Sequence, residues 1–355
     1  MRTDDLVRAY LKNEKLNNEI TKDFISEVIS QSLHTLLFPV LNIKREYYIA
    51  WVKKQEEFYQ IEKEITNLFN QNEIPHFYFK GTELSKIYDD ASIRTRGDID
   101  LYVSLSNLTK AKDLLLANGY TLDEGEDCMH HLGMSKNGLN VELHFNMFDD
   151  DVSKDWLKLF KNPFELTVKK SDYRYQFIDT YHFIYCMMHF AHHLRTGAGI
   201  RYLLDFYYML KKYDIDYNLL HKLLKEVKLE RLYSNIINLL YDLSGIYFDD
   251  TIKKEDVTFF KDYLLSYGIH GHSNNETSQA ASLHKNKLRY LLSRAFLINK
   301  AYRISKYPKM GRHILLYPIC VICHLFYLFT HKLGKFFNFI FGKNKNKALY
   351  DRLGI

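Results

Sequence analysis

Two stretches that alternate acid with hydrocarbon constrain this chain more than anything else in it. Asp98–Val103 reads D-I-D-L-Y-V, and Val141–His144 reads V-E-L-H. Side chains along a strand point to opposite faces at a period of two. Asp98, Asp100 and Tyr102 therefore share one face, while Ile99, Leu101 and Val103 share the other. The same alternation sets Glu142 and His144 against Val141, Leu143 and Phe145. The apolar faces must be buried under another layer, so the acids are left together on the opposite side. Clustered carboxylates repel one another and lose hydration unless a cation sits among them.

That pattern predicts a site for Mg²⁺, which takes a few carboxylates together with waters and phosphate oxygens. Two such ions, roughly 3.5–4 Å apart, can hold the attacking and leaving oxygens of an in-line displacement. Asp98, Asp100 and Glu142 are the expected ligands and catalytic acids, with Glu142 as ligand or as base toward an attacking hydroxyl. Because acids without their metal repel, replacing either Asp98 or Asp100 by Asn is expected to leave stability equal or higher.

Lys80, Gly81 and Thr82 come earlier, where His76–Phe79 reads as a short strand and Thr82–Tyr88 as a helix. A Gly at such a turn lets backbone N–H groups approach a triphosphate. Lys80 adds a mobile cation, and Arg94 and Arg96 stand where a leaving pyrophosphate would need neutralising. An isolated D-x-D is commonly a solvated edge, and K-G-T alone says little. The order of the pieces on suitable elements carries the reading.

At these residues the chain resembles the nucleotidyltransferase superfamily of the DNA polymerase β type. It is more closely similar to an uncharacterised bacterial nucleotidyltransferase family often found among cell-surface polysaccharide genes. The matching positions are Lys80, Gly81, Leu84, Tyr88, Arg94, Gly97–Leu101, Gly119-Tyr120 and Glu142–His144. A helix with His189 and His193, followed by Arg201, Leu203 and Asp205, extends the match. Thr82 stands where the broader superfamily has Ser. The resemblance implies transfer of NMP from an NTP and does not name the acceptor.

Around this centre the periodicity is helical. Residues 1–72 read as helices, the longest over Glu46–Asn70 with Trp51, Phe58, Ile61, Ile65 and Phe69 at apolar positions. Lys110–Asn118 is a further helix closed by Gly119, and 129–135 with 139–145 read as a hairpin about Lys136-Asn137-Gly138. Helices follow at Tyr181–Leu194, Ile200–Tyr213, Tyr217–Val227, Arg231–Leu243, Asp256–Tyr267 and Ser282–Ser305, with a polar linker over Gly268–Ala280. The expectation is an α+β chain: a helical region over 1–72, a small mixed-sheet nucleotidyltransferase core over 73–170, a helical domain over 171–307 and a basic amphipathic segment over 308–355.

His189 and His193, four apart, share a helix face, but Phe190 stands where a zinc-binding H-E-x-x-H needs Glu. They are expected, with Arg195 or Arg201, to touch substrate or brace the core, His144 to meet substrate or line the cleft, and Asp205 to orient an Arg or His. Cys320-Val321-Ile322-Cys323-His324 matches a c-type haem motif, yet Met1–Ile20 is polar and charged and is not expected to direct export. Four scattered cysteines give no disulfide framework. A cytoplasmic enzyme is the expectation.

The net charge of +6 is uneven. Residues 308–355 hold eight Lys or Arg against Asp351 alone, a net +7, which leaves −1 for residues 1–307. A neutral body argues against a broad nucleic-acid surface. Ile314–Thr330 is apolar beside these cations. Packing on the body, lying on an anionic inner-leaflet surface or docking a membrane-bound partner, and spanning the bilayer are the three expectations for it. Two alternatives to the main functional reading stay open: a toxin-like nucleotidyltransferase acting on tRNA or protein, and a non-catalytic nucleotide-binding or scaffold protein. The intact acid set argues against the latter.

Overall fold

The protein is described by a computed structural model over residues 1–17, 20–41, 45–123, 130–149, 152–194, 197–268, 296, 303, 304, 306, 307, 309–331, 350 and 352–354. Most of the expected Ser282–Ser305 helix, nearly all of the Gly268–Ala280 linker and Arg195 lie outside the described residues.

Seven strands form one mixed sheet: β1 (His76–Tyr78), β2 (Asp98–Val103), β3 (Thr121–Leu122), β4 (His131–Lys136), β5 (Leu139–His144), β6 (Thr167–Lys169) and β7 (Arg174–Phe177). Their spatial order is β3-β4-β5-β2-β1-β7-β6. β2 runs parallel to β5 and antiparallel to β1, and β1 runs parallel to β7. The β4–β5 hairpin turns at Asn137 and Gly138, both at positive φ (53° and 74°). That is the conformation a tight two-residue hairpin loop requires.

The alternation in β2 and β5 separates two apolar clusters. Ile99, Leu101, Val103, Val141 and Leu143 pack with Phe58, Ile61, Ile65 and Phe69 of the Arg45–Gln71 helix and with Leu108, Ala111 and Leu115 of the Leu108–Ala117 helix. On the opposite face Phe77, Phe79, Tyr102 and Phe177 join a larger cluster built from the Asp179–Leu194, Tyr202–Lys212, Tyr217–Val227 and Glu230–Ser244 helices. Asp98, Asp100 and Glu142, which alternate with these apolar residues, thus lie on the face that meets the helical bundle.

Two arrangements differ from the expectation. β6 and β7 continue the sheet to Phe177, beyond the expected boundary at 170. These strands have three and four residues, and β7 pairs with distant β1 while β6 pairs with β7, so local periodicity carries little trace of them. The first helices are also built into the bundle. Leu6, Val7 and Val28 belong to its apolar cluster, Arg8 bonds the Asp242 carbonyl at 2.5 Å, and Gln31 accepts from the Ile200 N–H at 2.9 Å.

At the other end, Leu353 is buried in the same cluster and Arg352 lies over the Phe259 ring at 4.2 Å. The helix Tyr317–His331 leaves Ile319, Ile322 and Phe326 exposed, after Ile314 and Leu315 in the preceding turn. No helix among the described residues is long and apolar enough to cross a membrane.

Candidate active site

Parallel pairing of β2 with β5 sets Asp100 beside Glu142, Asp98 beside Asn140 and Tyr102 beside His144. Asp98, Asp100 and Glu142 all line one cleft of about 530 Å³, together with Lys80, Gly81, Arg94, Arg96, His189, His193, Arg201 and Asp205. The Lys80 Nζ sits 2.8 Å from Asp100 Oδ1 and 3.8 Å from Glu142 Oε2. His144 Nε2 lies 3.1 Å from Asp100 Oδ1 and 3.0 Å from Glu142 Oε2.

The electrostatics follow from this packing. Burial and the neighbouring charges of Asp100 and Glu142 push the Asp98 carboxyl up to about 7. Burial alone would raise Glu142, but the His144 hydrogen bond and the Lys80 charge outweigh it and hold it below the ordinary range. Burial opposes the charge on Lys80, yet Asp100 and the other anions keep its ammonium well above its ordinary value. The acid cluster therefore draws in the nearest available cation.

Lys80 reaches that place through a strained backbone, φ 48° and ψ −129°, just before the short helix Gly81–Leu84. A non-glycine residue there costs on the order of 1–3 kcal/mol, and such strain persists only where surrounding contacts enforce it. Gly81 has its own steric reason. A Cβ on it would stand 2.9 Å from Arg94 Nη1. Thr82, expected to bind nucleotide beside Gly81, is fully buried and is not among the residues that line the cleft.

Arg94 and Arg96, expected to meet a leaving pyrophosphate, have protein partners. Asp205 Oδ1 and Oδ2 accept from Arg94 Nε at 2.7 Å and Nη2 at 2.9 Å, while Tyr88 donates to Asp205 Oδ1 at 2.7 Å. Arg96 Nε donates to Gln55 Oε1 at 2.9 Å, and its guanidinium lies 5.0 Å from the Phe58 ring centre. Burial lowers Arg96 to about 10. Both arginines still border the cleft, so what they offer a ligand is a held positive field rather than a free fork.

His189 and His193 stand with their Nε2 atoms 3.0 Å apart. Burial and the proximity of His193 hold His189 well below its ordinary value, so it is neutral. Neither belongs to a three-ligand cluster among the described residues. Arg201 faces the same cleft, its charge disfavoured by burial and by Arg94.

Sequence reasoning missed the cleft wall supplied by Trp51, Lys54 and Gln55. Their spacing on one helix was visible, but Trp51 fitted the apolar pattern equally well. It also missed Glu62, a buried carboxylate that accepts from Lys86 at 2.5 Å and Arg174 at 3.4 Å. Glu83 accepts from the same pair at 2.7 and 3.0 Å. This network ties the long helix to the turn that carries Lys80 and to β7.

A mixed α/β fold that brings paired acids, a lysine and a glycine turn to one cleft has the parts of a nucleotidyl-transfer enzyme. The sequence model of a family described as uncharacterised nucleotidyltransferase matches residues 22–245, and the chain belongs to that family. The match includes every acid, lysine and arginine of the cleft described above and ends before the basic segment. No curated protein matches the chain.

Proposed function

We propose that this protein is a Mg²⁺-dependent nucleotidyltransferase that moves NMP from an NTP to a hydroxyl or phosphate acceptor. The observation that carries the reading is the in-register pair Asp100 and Glu142 with Asp98 on the same strand face, all opening on one cleft beside Lys80. The donor set fits a divalent cation: the Lys80 ammonium already lies between two of its carboxylates, and crowding raises the third. Asp98, Asp100 and Glu142 would hold Mg²⁺, two ions in the full site. When bound, Mg²⁺ supplies charge neutralisation to the phosphates.

The chain's own residues do the rest. Lys80, released from Asp100, is placed to pair with a phosphate oxygen. The backbone N–H of Gly81, which lines the cleft, would meet the same anion. Arg94 and Arg96, fixed by Asp205 and Gln55, give a positive wall for the pyrophosphate. Glu142 takes the proton of the attacking hydroxyl or orients it. A cleft of about 530 Å³ has the size of a small-molecule site. This favours a compact acceptor, such as a sugar or glycolipid precursor of the surface-polysaccharide type, over a tRNA or protein surface. The stripe at Ile314, Leu315, Ile322 and Phe326, flanked by Lys309, Arg312, Lys332 and Lys335, suits an anionic lipid surface on the cytoplasmic side.

The test is incubation of the protein with each labelled NTP and Mg²⁺ in cell lysate. Transfer of label to an acceptor, lost in Asp98→Asn/Asp100→Asn, is the expected result. Labelling that survives the double substitution at the original rate overturns the reading.

A further inference from the structure

Beside the carboxylates is a group of histidines that the proposed transfer reaction does not use. His130 and His131 enter β4, and β4 pairs antiparallel with β5 so that His131 faces His144. One ligand atom from each of His130, His131 and His144 lies within 4.8 Å of the others. Their spacing is tighter than that limit suggests. His131 Nδ1 is 3.2 Å from His130 Nε2 and 3.7 Å from Glu142 Oε2, and His144 Nε2 is 3.0 Å from the same Glu142 oxygen.

We propose that His130 Nε2, His131 Nδ1, His144 Nε2 and Glu142 Oε2 form a binding site for one zinc-class transition-metal ion, distinct from the Mg²⁺ site and sharing Glu142 with it. Four ligands about 2.0–2.1 Å from a tetrahedral ion stand about 3.3–3.4 Å from one another. Three of the six separations in such a set, 3.0, 3.2 and 3.7 Å, are close to that value, and His130, His131 and His144 by themselves bring one ligand atom each within 4.8 Å. Imidazole ligands select zinc and its neighbours over Mg²⁺, which prefers oxygen and water.

The surroundings fit as well. His130 Nδ1 is 2.9 Å from Asp149 Oδ1, so the imidazole donates its proton there and turns the Nε2 lone pair toward the cluster. A carboxylate behind a ligating histidine fixes its ring and tautomer in this way. Without an ion, His131 Nδ1–H donates to His130 Nε2. With an ion, the His131 proton sits on Nε2, and the His144 proton that Nε2 donates to Glu142 and Asp100 in its absence shifts to Nδ1. Lys80 is 3.8 Å from Glu142, beyond hydrogen-bond reach, and its hydrogen bond goes to Asp100 at 2.8 Å. His130 and Glu142 are each about one-fifth exposed, which gives the ion an entry.

The inference shares Glu142 with the proposed function, and the experiment separates the two. The full chain, stripped with chelator, is titrated with Co²⁺ while the visible d–d absorption is followed, then with Zn²⁺ in competition. One equivalent of Co²⁺ should give the intense spectrum of tetrahedral coordination, and Zn²⁺ should abolish it. His130→Gln and His131→Gln should lose the spectrum, and Asp149→Asn should weaken binding about 10–100-fold. Asp98→Asn should keep it, although that variant is expected to lose NMP transfer.

Absence of stoichiometric tetrahedral Co²⁺ in the wild-type protein overturns the site even if NMP transfer is intact. So does a spectrum unchanged in both histidine variants. If the histidine variants do not fold, the wild-type spectrum and Asp149→Asn decide the matter.

Discussion

The Lys80 ammonium lies 2.8 Å from the Asp100 carboxylate, and both groups are largely withdrawn from water. A fixed positive charge therefore holds one of the two strand aspartates in the resting protein, while Asp98, two residues earlier, is crowded by acids. The two aspartates should respond differently to the same substitution.

Asp98→Asn should leave the melting temperature equal or higher, because it removes a carboxylate whose charged form is disfavoured. Asp100→Asn should lower it, since Lys80 and His144 lose their shared partner. Breaking one side of a buried pair costs about 3–5 kcal/mol, less here because Glu142 remains close to both. Thermal denaturation of the two variants checks this, and equal shifts would contradict the pairing. For Asp100 this differs from the expectation from sequence, because the Lys80 contact is made only in the fold.

Arg94→Lys should cost about 1–3 kcal/mol in urea denaturation, since lysine keeps the charge and loses the second bond. Lysine cannot supply the two nitrogens, 2.7 and 2.9 Å from Asp205, that the guanidinium offers as a fork. Tyr88 would keep its own bond to Asp205 and limit the loss.

Gly81→Ala should reduce NMP transfer about 10–100-fold with little change in far-UV circular dichroism. The new methyl group would meet Arg94 Nη1 at 2.9 Å and displace either the guanidinium or the turn carrying Lys80. A shift of about 1 Å at a positioning group is worth that much in rate. Wild-type kinetics in the variant would show that the cleft tolerates the methyl group.

Acid should destabilise the protein through His76 and His182. Burial lowers both to about 4 from an ordinary 6.5. The unfolded chain binds these two protons near pH 6.5 while the folded protein stays neutral, so stability is full above 6.5 and falls as pH drops toward 4. Each contributes up to about 3 kcal/mol over that window. Asp98, raised to about 7, acts in the opposite direction, because its folded form takes up a proton before the unfolded chain does. The stability of Asp98→Asn should therefore fall more steeply between pH 6.5 and 4 than that of the wild type, as read by denaturant titration at several pH values.

Binding to anionic liposomes should fall with salt and with Ile322→Ser/Phe326→Ser. These residues are 66% and 72% exposed, so the change spares the core. Removing the whole segment would confuse the result, since Leu353 packs inside the bundle. Each Lys or Arg near such a surface contributes about 1 kcal/mol, weakened as ions screen it. Flotation that is the same for the variant and the wild type would rule out lipid docking by this stripe.

Much of this molecule was legible along the chain because the relevant signals are local. The Asp98–Val103 alternation named the face of every residue on β2, and the structure keeps Ile99, Leu101 and Val103 in one cluster and Tyr102 in the other. The Tyr217–Val227 helix matches its expected limits, since its apolar spacing and the Asp216 cap mark both the buried face and the start.

Sequence by itself determined most of the elements, though not β6 and β7, the polar face of β2 and β5, and the membership of the chain in a nucleotidyltransferase family. Tertiary structure alone decided who meets whom. Arg94 finds Asp205 across 111 positions of chain, β7 joins β1, and His130 and His131 come to rest against His144. Period sets the direction in which a side chain points. The partner it meets depends on strand order and helix packing, which the whole core fixes cooperatively and no single stretch encodes.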